Sequence, residues 1–284
     1  MTVFFGLVLI WSSTWIAIKT GLDYFPPFFA IGIRFCIAGP ILLAIMRLRG
    51  IPIPWGRRHQ PVYAAIALLS FVISFGVVYW GEQYVTSGLA AVLFATLPLF
   101  TGLVSLLIAH GERWRWLRWF GAAVSLAGIV VIHSGDLELV HPLAPLAALV
   151  ILLGPMATAF STVLSKHKSR EIHPLAMAGI PITYGGVIDM GIWFAFERHR
   201  PLVWEAPGIA SLAYLTLIGS VVTFAGYYWL LQYMEVGRIN LVAYCTPVMA
   251  LAIGFFLGGE TVTVAILGGA ALVISGVVLA GRRG

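Results

Sequence analysis

Apolar residues run along this chain in long stretches separated by short polar punctuation, and marking them gives ten segments. They cover roughly 2–20, 28–47, 62–81, 86–109, 116–133, 143–165, 174–196, 208–230, 236–258 and 262–281. Most approach the twenty or so residues needed to cross about 30 Å of hydrocarbon at about 1.5 Å per residue. The fifth is the shortest, and the fourth contains Pro98. No stretch between them is long enough for a soluble domain. The pattern predicts an all-α, polytopic membrane protein with ten transmembrane helices.

Composition supports the same solvent. Of the 284 residues, 60% are hydrophobic and 10% charged, and the mean hydropathy is +0.97. Soluble domains run near half apolar and about a quarter charged, so the excess belongs in a bilayer. The net charge of +6 sits in short basic clusters between apolar runs. That pattern reads as cytoplasmic anchoring of membrane helices, and no nucleic-acid partner is expected.

Those clusters set the orientation. With the N-terminus in the cytoplasm, the inner side holds Arg47, Arg49, Arg57, Arg58, Arg113, Arg115, Arg118, Lys166, Lys168, Arg170, Arg238, Arg282 and Arg283. Only Arg198 and Arg200 fall outside, while Lys19 and Arg34 lie within spans. Both termini are therefore expected inside. Met1–Gly6 carries no basic n-region, so the first run reads as a retained helix rather than a signal peptide.

An internal repeat divides the chain. Gln83-Tyr84, Gly88 and Pro98 recur as Gln232-Tyr233, Gly237 and Pro247 at an offset of 149. Gly111-Glu112, Gly121-Ala122-Ala123 and Gly128 recur as Gly259-Glu260, Gly269-Ala270-Ala271 and Gly276 at 148, and Lys19 and Pro27 match Lys166 and Pro174 at 147. Five spans per half is an odd number, so the second copy enters the membrane inverted. The charges agree, because Arg113, Arg115 and Arg118 fall opposite Thr261, Thr263 and Ile266. Residues 1–134 and 143–284 are thus expected to form two inverted five-helix repeats. That is the architecture of a secondary transporter with a midplane site between its halves.

The opening Trp11-Ser12-Ser13-Thr14-Trp15-Ile16-Ala17-Ile18-Lys19, then Tyr24-Phe25-Pro26-Pro27 and Arg34-Phe35, resembles the EamA type of the drug/metabolite transporter superfamily. So do the Gln-Tyr turn, the glycine, the mid-span proline and the glutamate that recur in each half. Ser12 stands where that family often has glycine, and Asp189 matches no family mark. The resemblance implies export of small metabolites, amino acids first, from the plasma membrane of a bacterium or archaeon. Other metabolite or multidrug carriage is the alternative within that class.

Within this frame the costly or distinctive residues become candidates. Pro98 and Pro247 break backbone hydrogen bonding at matching places, which suits a cavity wall or hinge. Lys19 and Arg34 lie in the outward part of their spans, where they gate an outer mouth, touch substrate, snorkel or pair with Asp23 and Glu82. Asp189 inside the seventh span is the candidate for proton coupling. Trp11, Trp15, Tyr79, Trp80 and Tyr244 offer flat walls to a pocket, as do Tyr227, Tyr228 and Trp229. Trp114, Trp116 and Trp119 beside arginines read as an interfacial belt. Ser12, Ser13, Gln83 and Asn240 are polar groups that a cavity would solvate, or bonds to a neighbouring helix.

Other chemistries find no footing. Cys36 and Cys245 lie in apolar runs as small packers, and the seven histidines, His110 and His133 among them, make no zinc spacing. There is no Walker loop, dinucleotide fingerprint or Gly-x-Ser-x-Gly elbow, so neither a cofactor nor an enzyme activity is expected. A lipid-modifying enzyme would need converging His, Asp or Ser side chains, and a non-transporting subunit a dry, filled centre. Small-x-x-x-small spacing near Gly121 and Gly269 points to close helix packing, in a monomer or weak homodimer.

Overall fold

A helix in lipid satisfies its own backbone groups, and helices are the regular elements of the described residues. The computed structural model describes residues 2–108, 116–132, 141–249 and 264–281, and among these there is no strand. Glu112, Glu260, Arg113, Arg115, Trp114, His110, His133, Thr261, Thr263, Arg282 and Arg283 lie outside the described residues.

The helices are α1 (Thr2–Leu22), α2 (Pro27–Leu48), α3 (Gln60–Gly81), α4 (Ser87–Phe94 with Leu97–Ile108) and α5 (Trp116–Ile132). The second half supplies α6 (Ala144–Lys168), α7 (Pro174–Glu197), α8 (Ala206–Tyr233), α9 (Val236–Ile239, continuing at 242–249) and α10 (Val264–Gly281). Seven of these are long and apolar enough to span a bilayer, with shorter apolar helices at Trp116–Val131 and Gly268–Ala280. Local chemistry sets the ends. Proline opens α2 and α7, where its missing N–H costs nothing. Thr86 caps α4 by accepting the Leu89 N–H at 3.1 Å. Gly50, with φ of 66°, takes the left-handed turn that ends α2.

Packing follows a two-fold rule. α2 crosses α7, α5 crosses α10, α1 packs on α8, and α3 packs on α6. Sending each helix to the one five places along maps the first two pairs onto themselves and exchanges the last two. Individual contacts obey the same rule. A Cβ on Gly186 would stand 2.6 Å from the Cys36 nitrogen, and one on Gly39 would stand 2.7 Å from the Thr183 nitrogen. The two contacts exchange under the 147 offset. At the other crossing, Ser125 Oγ donates to the Val273 carbonyl at 3.2 Å, between residues 148 apart. Gly121 faces Gly276 and Gly128 faces Gly269 so closely that only hydrogen fits. These small-residue stripes are filled within one chain.

Two wide π turns, Ala67–Ser74 in α3 and Leu217–Val222 in α8, fall at equivalent places. A π turn frees backbone carbonyls and often marks a functional region. The prolines behave less alike. α4 breaks at Ala95 and Thr96, just before Pro98, whereas α9 runs unbroken through 242–249 and turns earlier, at Asn240 and Leu241.

On the inner side, Arg118 meets Glu235 at 2.5 Å and Lys168 meets Glu171 at 2.9 Å. The hydrogen-bonded Lys168 ammonium holds the Glu171 carboxyl below its usual range. Such exposed pairs tie loops together and add little stability.

Candidate functional site

The apolar interior opens where the two halves meet. A cavity of about 960 Å³, mouth included, is walled by α1, α3 and α4 from the first half and α6, α8 and α9 from the second. No charged side chain lines it among the described residues.

Its walls follow the two-fold in position but not in chemistry. Trp11 and Trp15 on α1 are matched by Thr158 and Thr162 on α6. Leu97 beside Pro98 is matched by Thr246 beside Pro247, and Val78 by Tyr227, while Phe75 and Phe224 are alike. One wall is therefore aromatic. Trp11 packs edge-on to Phe224 at 6.2 Å and against Tyr227 at 5.7 Å. The opposite wall carries hydroxyls, with Ser70 bonded to Ser161 at 2.6 Å and Ser74 to Thr158 at 2.8 Å.

A polar chain joins the halves at the cavity's edge. Asn240 Nδ2 donates to Thr101 Oγ1 at 2.6 Å, and the Tyr227 hydroxyl donates to Asn240 Oδ1 at 3.3 Å. Tyr227 is also 2.8 Å from Thr162 Oγ1. Four helices are thus linked by groups that would otherwise be unsatisfied in an apolar interior.

Of the candidates read from the sequence, Trp11, Trp15, Tyr227, Tyr228 and Asn240 line the cavity. The others stand elsewhere. Ser12 donates back to the Val8 carbonyl at 2.5 Å, and Ser13 meets Tyr214 of α8 at 2.5 Å. Trp80 packs on Tyr84 at 5.1 Å, and Tyr244 is fully buried with its hydroxyl unpaired among the described residues. Gln83 accepts from Arg200 at 3.2 Å in the loop after α7.

Arg34 is 1% exposed, behind the wall. Its guanidinium donates to Tyr79 OH at 2.9 Å, Ser220 Oγ at 2.7 Å and the Gly219 carbonyl at 3.0 Å, and it lies 5.1 Å from the centre of the Phe75 ring. It meets the π turn of α8, whose wide backbone presents the Gly219 carbonyl. Asp189 on α7 is fully buried, with neither carboxyl oxygen hydrogen-bonded among the described residues.

Lys19 and Lys166 form a matched pair. Lys19 Nζ donates to the Glu82 carbonyl at 2.5 Å and the Val85 carbonyl at 3.3 Å. Lys166 Nζ donates to the Leu231 carbonyl at 2.7 Å and the Met234 carbonyl at 2.6 Å. Each ammonium neutralises the partial negative charge at a helix end, α3 in one half and α8 in the other. Both acceptors of one pair lie 149 residues from those of the other.

With this geometry in place, the likeness to known proteins can be weighed. The model of the EamA-like transporter family matches residues 1–134 and again residues 145–282. The chain belongs to this family. It is 35% identical over 260 residues to the "Uncharacterized inner membrane transporter YedA" of Escherichia coli strain K12, covering 91% of this chain and 83% of that one. It is 25% identical over 272 residues to the "Uncharacterized transporter YoaV" of Bacillus subtilis strain 168, covering 96% and 93%. A solved crystal structure superposes with a TM-score of 0.81 at 20% identity, over 99% of this chain and 95% of that one. At that identity it speaks for the fold alone. This EamA-family chain is an integral membrane protein of the transporter class.

Several cavity residues escaped the sequence reading. Ser70 and Ser74, like Thr158 and Thr162, are hydroxyls four apart, and that spacing puts each pair on one helix face. Thr14 and Thr246 carried no comparable signal.

Proposed function

We propose that the chain is a secondary carrier that exports small metabolites, amino acids first, by alternating access around this cavity. One observation carries the reading: a hollow, hydroxyl-bearing space is walled by both halves at their two-fold junction. A purely structural subunit would fill such a space. Residues 1–134 and 143–284 act as two inverted units that rock about it. Substrate enters from the cytoplasm, and Pro98 and Pro247 let α4 and α9 bend as the site opens outward. Trp11 and Trp15 give the substrate's apolar body a flat face, and Asn240 with the hydroxyl wall receives its polar groups. Ser12, Ser13, Lys19, Arg34, Tyr79, Trp80, Gln83 and Tyr244 act behind or beyond the wall, holding the helices that form it. Asp189 takes up a proton during the cycle.

A second reading rests on the absence of charge among the described residues of the lining. Aromatic faces without a fixed cation suit amphipathic drug-like cations, so multidrug carriage stands beside amino-acid export. Purified protein in proteoliposomes separates the two. Preloaded amino acids with apolar side chains should leave faster than from protein-free vesicles, and aromatic cations should leave no faster. The reverse result installs the multidrug reading. Equal leakage of both from protein and protein-free vesicles ends the carrier reading. A flux that ignores an imposed pH gradient removes proton coupling.

A further inference from the structure

Glu82 closes α3, and its side chain has no exposed surface. Neither carboxyl oxygen has a hydrogen-bond partner among the described residues. Beside it, Lys19 passes the carboxyl by and binds the Glu82 main-chain carbonyl at 2.5 Å and that of Val85 at 3.3 Å. The charged and titratable groups around Glu82 come from four helices and the rim. Lys19 on α1 acts on it directly, and Tyr79 lies one turn earlier on its own helix. Beyond Tyr79 are Arg34 of α2 and Asp189 of α7. At the rim, Tyr84 packs on His141, and Arg200 holds Gln83.

An enclosed carboxyl that accepts no hydrogen bond is accommodated as the neutral acid. Ionised, it needs a cation and hydrogen bonds, or its burial is heavily unfavourable. The nearest cation is Lys19, and an ionised carboxylate is a stronger acceptor for an ammonium than two neutral carbonyls. The turn joining α3 to α4 would lose its fastener to the acid.

The other half differs at the equivalent position. Lys166 fastens the α8–α9 turn in the same way, but the residue equivalent to Glu82 is Leu231.

We propose that Glu82 is a proton-binding site whose ionisation draws Lys19 off the α3–α4 turn. The carboxyl O–H bond breaks, the proton leaves to water at the outer mouth near Gln83, and Lys19 keeps its charge throughout. The proposal rests on the carrier reading only for its use, a pH-dependent release of the outer mouth.

Hydrogen exchange on the full chain in lipid nanodiscs tests it, with protection corrected for the intrinsic effect of pH. As pH rises, protection of residues 82–86 should fall about tenfold. Glu82→Gln should keep the first turn protected at every pH, and Lys19→Met should leave it open at every pH. A wild-type turn that ignores pH overturns the proposal, as does an undiminished response in Glu82→Gln. Where Lys19→Met does not fold, infrared difference spectra of the wild type and the near-isosteric Glu82→Gln decide. A carboxylic-acid carbonyl band that titrates in the wild type should vanish in Glu82→Gln and persist in Asp189→Asn. Its survival in Glu82→Gln overturns the assignment. Neither readout involves solute flux, so a failed carrier reading and a failed proton site are told apart.

Discussion

The two halves of this chain share a scaffold and differ in chemistry. Where backbone meets backbone, the match is close: Gly39 on Thr183 repeats as Gly186 on Cys36, and Lys19 on the α3 end repeats as Lys166 on the α8 end. Among side chains that face the cavity or stand behind its wall, most of the match fails. Trp11 and Trp15 oppose Thr158 and Thr162, and Arg34 corresponds to Pro181, Asp189 to Leu42 and Glu82 to Leu231. Rocking between two related states requires the crossings to be interchangeable, whereas binding a particular solute requires no symmetry at all. The scaffold can therefore be tested by equality of twins, and the site by their inequality.

The largest effects belong to the crossings. Gly186→Leu and Gly39→Leu each push a side chain into a neighbouring backbone. Each should lower stability by about 3 kcal/mol, the upper range for overpacking a filled interior. Thermal unfolding of detergent-purified protein measures this. Were one variant to unfold early and its twin to melt like the wild type, the two-fold would be a likeness of shape without equal mechanical weight.

The next effects belong to the walls. Trp11→Ala removes an aromatic face held by Phe224 and Tyr227. It should slow proteoliposome efflux about tenfold, equivalent to about 1.4 kcal/mol. Its twin Thr158→Ala removes one hydroxyl from a wall that keeps others, and should slow efflux about threefold, at the low end of the usual worth of a single hydrogen bond. Equal losses from the twins would mean that the two walls serve the solute alike.

Much of the scaffold was legible in the sequence because its marks are residue types with no substitute. Hydropathy gave the helices, and the glycines at 121, 128, 269 and 276 sit where two backbones touch. The lysine pair was visible as a coincidence of spacing, but its partners were not, since a main-chain carbonyl leaves no trace in residue identity. Trp11, Trp15 and Asn240 were legible as cavity residues because large aromatic and amide groups deep in a span need a reason. The serines and threonines were not, because in any helix a hydroxyl can donate to its own backbone four residues back. Thr101 does so to the Leu97 carbonyl at 2.8 Å while also accepting from Asn240. Arg34 and Tyr79 were read as facing the cavity or its mouth from their place along the chain. Which side of a buried helix they face depends on the π turn of α8, and hydropathy does not encode it.

Equal residues in unequal surroundings should also behave differently. Tyr79 and Tyr228 are 149 residues apart, both buried, and both at the same turn of their helices. Tyr79 accepts from Arg34 Nη1 at 2.9 Å, whereas Tyr228 is paired with Ser165. Tyr79→Phe therefore strips one acceptor from a buried guanidinium that has two others among the described residues, and the cost should be about 2 kcal/mol, as for a hydrogen bond to a charged group. Tyr228→Phe leaves Ser165 still donating to the Ser161 carbonyl at 2.7 Å, so its cost should stay near 0.5 kcal/mol. Both variants keep the ring, so packing contributes equally and cancels between them. Urea or thermal unfolding in one detergent should then rank wild type, Tyr228→Phe and Tyr79→Phe in falling order. Reversal of the last two would show that Arg34 is held by the π turn of α8 and its flanking rings alone, and that Tyr79 is no part of its support.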